Sequence, residues 1–60
     1  METIKEILIR RDGMTGSEAD TLIQSARDDM NSRLADGEMP YEICEEYFGL
    51  EPDYIFELVG

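Results

Sequence analysis

The sequence predicts an all-α fold, a small bundle of three to four short helices. Three observations predict it. Apolar residues recur at three- and four-residue steps along most of the chain. Glycines stand singly at the ends of those stretches, where a helix stops and the chain turns. Repeats, linkers and low-complexity segments are missing, so residues 1–60 read as one domain.

Residues 2–11 place Ile4, Ile7, Leu8 and Arg11 at helical spacing, with Lys5, Glu6 and Arg10 opposite. Ile9 breaks the pattern and the β-branched content leaves a strand open. A short helix ending at the turn pair Asp12-Gly13 is favoured. Thr15 and Glu18 have the spacing of a capping box, in which each side chain satisfies a free backbone N–H of the other. Ala19, Leu22, Ile23, Ala26, Met30 and Leu34 then form one apolar stripe, predicting a long central helix over residues 15–36 closed by Asp36-Gly37. Pro40 suits the first turn of a third helix, where its missing donor is unpaired anyway. Ile43, Cys44, Tyr47 and Phe48 are that helix's apolar side and Gly49 its stop. Glu51-Pro52-Asp53 opens a last helix with Tyr54, Ile55, Leu58 and Val59 as its apolar face.

A chain of 60 residues buries only about 60% of its unfolded surface, so a self-sufficient core is marginal. Cys44 is the sole cysteine and histidine is absent, so neither an internal disulfide nor a structural zinc site of about four N or S ligands can be built. Stability has to come from helix packing or association, and a homodimer stays open. Without histidine, Cys44 also lacks the usual activating base of a nucleophile and reads as a packed thiol. A lone reduced thiol fits a cytoplasmic location. The longest apolar run near the start, Ile7-Leu8-Ile9, is too short for a signal peptide or a membrane span, so neither a targeting segment nor a membrane partner is expected.

Fifteen acidic residues face five basic ones, a net charge of −10. Residues 1–35 hold seven acids and all five bases; residues 36–60 hold eight acids (Asp36, Glu38, Glu42, Glu45, Glu46, Glu51, Asp53, Glu57) and no base. That half repels phosphate backbones and anionic lipid and attracts basic surfaces. Direct nucleic-acid binding is therefore not expected. Neither is an enzyme, because sixty residues cannot wall a carboxylate pair off from water. The calcium-loop pattern and the phosphate-cradling glycine loop are both missing, so no metal or cofactor is expected.

Two resemblances sharpen this. The stretch from Tyr41 to Leu58 resembles the helix-turn-helix motif of DNA-binding regulators, with Gly49 in the turn, Leu50 after it, and Ile55 and Leu58 at the inward positions of the second helix. It departs from that motif at Glu45, where a small residue normally sits between the helices, and in a second helix that carries Glu51, Asp53 and Glu57 without a lysine or arginine. The resemblance implies a helix-turn-helix-like C-terminal half, used for protein contacts. In size and charge the chain is also similar to small acidic proteins of phages and mobile elements that inhibit restriction or CRISPR systems, which implies an inhibitor imitating a nucleic-acid backbone.

The expected function is a non-enzymatic interaction domain whose acidic half engages a basic surface of another protein. Its candidate partner-binding residues are Glu42, Glu45, Glu46, Glu51, Asp53, Phe56 and Glu57. Phe56 is among them because it falls outside the stripe of Ile55, Leu58 and Val59. The alternative is a helical subunit or adaptor that docks or dimerises through Met39, Tyr41, Tyr54 and Phe56, its charge serving only solubility.

Overall fold

The structure, a computed structural model, describes residues 2–59. The first segment is a helix, α1 (Ile4–Asp12), and a local signal decides this over a strand. The Thr3 hydroxyl accepts the Glu6 N–H at 3.2 Å and the Glu6 carboxylate accepts the Thr3 N–H at 3.1 Å, a capping box that satisfies two otherwise free donors. The same device starts α2 (Gly16–Ala35), where Thr15 and Glu18 exchange bonds of 3.1 and 3.0 Å. At the far end of α2, Gly37 takes φ 83°, a left-handed conformation costly for residues with a Cβ. That conformation lets Gly37 donate to the Leu34 carbonyl at 3.1 Å and Glu38 to the Arg33 carbonyl at 2.8 Å, satisfying two orphaned acceptors.

The C-terminal half is built from shorter pieces. Helix α3 (Ile43–Phe48) begins later than the sequence suggests. Pro40 lies ahead of it, buried in the connection, and only its carbonyl reaches the helix, accepting from Ile43 N–H at 3.4 Å. After Gly49 the chain makes a 3-10 turn, Pro52–Tyr54, with proline at its start, and passes directly into α4 (Ile55–Val59). Two short helical arms thus meet at Gly49, but Glu45 faces solvent and not the helix–helix contact where the motif keeps a small residue.

At about 1.5 Å per residue the 20 residues of α2 span about 30 Å, close to the molecule's 34 Å long axis. α1, α3 and α4 all pack against it. Their meeting place is a core of Ile4, Leu8, Ala19, Ala26, Met30, Ile43, Cys44, Phe48 and Leu58. Ala19 and Ala26 are fully buried, and their small side chains let the flanking helices approach the α2 axis. The apolar stripe outlasts its cover, however. Leu34, in the last turn of α2, is 48% exposed because the helices packed on α2 are much shorter than α2 itself. Tyr54, an interface candidate by sequence, packs half-buried against the core. No polar or charged residue is buried among the described residues, so the interior is purely apolar.

Candidate partner-binding surface

All five cations have intramolecular partners. Lys5 pairs with Asp20 at 3.1 Å and Arg10 with Glu2 at 2.7 Å. Arg11 pairs with Asp12 at 2.9 Å and also donates to the carbonyl of Phe48, the last residue of α3. Arg27 donates to the carbonyl of Leu58 near the end of α4, at 3.1 Å. Arg33 joins Asp29 (3.1 Å) to Glu46 of α3. Arg11 and Arg27 therefore place positive charge where the carbonyls of two short helices concentrate negative potential.

The acids divide differently. Nine of the first half's and second half's carboxylates have partners: Glu6 and Glu18 cap helices, Glu2, Asp12, Asp20, Asp29 and Glu46 pair with cations, Asp28 accepts from the Gln24 amide at 2.9 Å, and Glu57 accepts the Ile4 N–H at 3.1 Å. The carboxylates of Asp36, Glu38, Glu42, Glu45, Glu51 and Asp53 have no hydrogen-bond or ion-pair partner among the described residues, and all six residues are exposed. Of the seven sequence candidates, Glu42, Glu45, Glu51 and Asp53 are thus solvent-facing and uncommitted. Glu46 and Glu57 are exposed but serve the fold, one tying α3 to α2 and the other crowning the start of α1. Phe56 is 75% exposed, the most exposed large apolar side chain described, followed by Val59 (65%), Met39 (64%) and Tyr41 (60%).

Sequence reasoning missed the cluster that fixes α3 on α2. The Tyr47 hydroxyl donates to Asp29 at 2.7 Å, and Asp29 accepts from Arg33 in turn. The Tyr47 bond and then Arg33 hold the Asp29 carboxyl below its ordinary value, and the same bond raises the Tyr47 phenol. The Asp29/Arg33 half of the cluster was visible as a four-residue helical spacing. Its link to Tyr47 and Glu46 was not.

Other chemistry finds little to use. Cys44 is fully buried, and burial followed by the nearby Glu57 charge pushes its thiol up, away from the nucleophilic thiolate. A cleft of about 130 Å³ between the α1 start and α4, lined by Ile4, Ile23, Arg27, Glu57 and Leu58, is well below the roughly 300 Å³ of small-molecule sites. No group of three metal-ligating side chains converges among the described residues, and no helix there is long and apolar enough to cross a membrane. Comparison with family models, curated proteins and solved structures returns no match to this chain.

Proposed function

We propose that this domain is a non-enzymatic, acidic interaction module that occupies the basic nucleic-acid-binding surface of another protein, in the manner of an inhibitor of a defence or nucleic-acid-handling enzyme. One observation carries the reading. Every cation is engaged within the fold, while six carboxylates between Asp36 and Asp53 face solvent with nothing cationic to offset them. Such a surface raises the local concentration of positively charged partners and turns nucleic acid away. A protein groove that binds phosphate is the complementary surface.

The test is an order-of-addition cleavage assay with a restriction endonuclease and an RNA-guided DNA nuclease. The domain added before duplex DNA should block cleavage, and added after DNA it should act weakly. The variant Glu42→Gln, Glu45→Gln, Glu51→Gln, Asp53→Asn alters only uncommitted carboxylates and should lose the block with its helicity intact. Inhibition that survives this change, or tight binding of duplex DNA by the domain itself, overturns the reading.

A second reading is favoured by a separate observation. Four large apolar side chains are 60–75% exposed, and all lie in the C-terminal half. An adaptor or subunit docking through them would bind with little dependence on salt, whereas capture by exposed charge weakens as screening sets in over about 10 Å at 0.1 M.

A further inference from the structure

Every side chain of α4 but two has a task inside the molecule. Ile55 and Leu58 face the core, and Glu57 turns to the α1 N-terminus. Phe56 and Val59, three residues apart and so on one side of the helix, project outward at 75% and 65% exposure. The arm leading into this face carries the uncommitted Glu51 and Asp53, and Arg27, beside α4, is engaged with the Leu58 carbonyl.

From this we infer that the outward face of α4 is an apolar anchor for a cationic, amphipathic segment of a partner protein. The inference rests on the acidic-module reading and adds to it that charge alone does not make the complex. Charge complementarity selects this occupant over a second copy of the chain. A homodimer through α4 would bring together two halves that each carry eight acids and no base. Phe56 and Val59 are also far too little surface for a dimer held by apolar contact, since stable interfaces need roughly 800 Å² per partner and one aromatic side chain supplies at most about 250 Å². The rest of the contact has to come from the acidic surroundings, which attract only a partner that presents lysine or arginine beside its apolar residues. A buried aromatic ringed by polar contacts is the usual form of an interface hot spot.

The experiment compares two synthetic peptides of equal charge by calorimetric titration: a lysine-rich amphipathic helix with a leucine stripe, and an oligolysine without apolar residues. The amphipathic peptide should bind about 10-fold or more tightly than oligolysine, and Phe56→Ala should remove that difference while leaving oligolysine binding and helicity unchanged. Equal affinity of the two peptides, or an unchanged preference in Phe56→Ala, overturns the anchor and leaves the acidic-module reading standing. Binding of neither peptide at low salt sinks both. A concentration-dependent dimer that Phe56→Ala dissociates identifies a second copy as the occupant and also overturns the inference.

Discussion

Residues 2–35 and residues 36–59 are stabilised in opposite ways. The first half is locally self-sufficient: two capping boxes, a left-handed glycine at the end of α1, and a helix of 20 residues. The second half has helices of six and five residues, no side-chain cap at the start of α3, and no cation of its own. Isolated helices that short do not persist in water. They are held by the shared core and by arginines lent from the first half, Arg11 to Phe48, Arg27 to Leu58 and Arg33 to Glu46. The loan is one-sided in charge. It commits three of the first half's five cations to two backbone carbonyls and one glutamate, and leaves the remaining acids of the second half exposed. The same arrangement that fixes the C-terminal half leaves it the more negative surface.

The contrast can be broken most severely through the core that both halves share. Leu8→Ala should cost about 2–5 kcal/mol, most of the roughly 3–9 kcal/mol expected for a domain of this length. Denaturant unfolding followed by circular dichroism should show one transition, and a C-terminal half that melts separately would show that the core does not unite them. Thr15→Ala should cost about 1 kcal/mol by removing the α2 cap, with the unfolding midpoint lowered and its slope unchanged. Arg11→Met keeps the aliphatic stem but withdraws the charge from the end of α3. Amide exchange at Gly49 and Leu50, whose N–H groups close that helix, should then accelerate relative to α2. Equal acceleration in both would mean that Arg11 serves the whole fold.

Acid sharpens the same division. Thr3 and Thr15 lower the Glu6 and Glu18 carboxyls through their backbone N–H and hydroxyl bonds, Arg11 lowers Asp12, and Tyr47 with Arg33 lowers Asp29. A carboxyl whose folded pKa is depressed favours the fold above its unfolded value, near 4, and loses that contribution as pH falls through the folded value. The melting temperature should therefore fall as pH drops from about 5 towards 2, with α1 and α2 amides the first to lose protection. A melting temperature that rises steadily over that range would contradict the assigned bonds.

Much of this architecture was legible because its signals are local. Thr15 with Glu18 and the glycines at 13, 37 and 49 announce helix ends within a few residues. The Thr3–Glu6 box has the same spacing and resolves the first segment as helix. What could not be read depends on distant pairs. Arg11 meets Phe48 across 37 residues, Arg27 meets Leu58 across 31, and Glu57 meets Ile4 across 53. No periodicity encodes such contacts. For the candidate surface this mattered directly: acidity was plain in the composition, but Glu46 and Glu57 differ from Glu42, Glu45, Glu51 and Asp53 only through where the arginines and the α1 N-terminus come to lie. Pro40 was misplaced for a related reason, since its ring is buried ahead of α3 and does not open that helix.

The claim that negative potential is concentrated and uncompensated over residues 36–53 is tested most directly by paramagnetic relaxation of backbone amides with dilute cationic and anionic nitroxides at low salt. The account predicts that the cationic probe enhances relaxation around Glu42, Glu45, Glu51 and Asp53 well beyond the anionic probe, with a much smaller difference over α1 and the first turns of α2. An equal ratio of the two probes over both halves would contradict it.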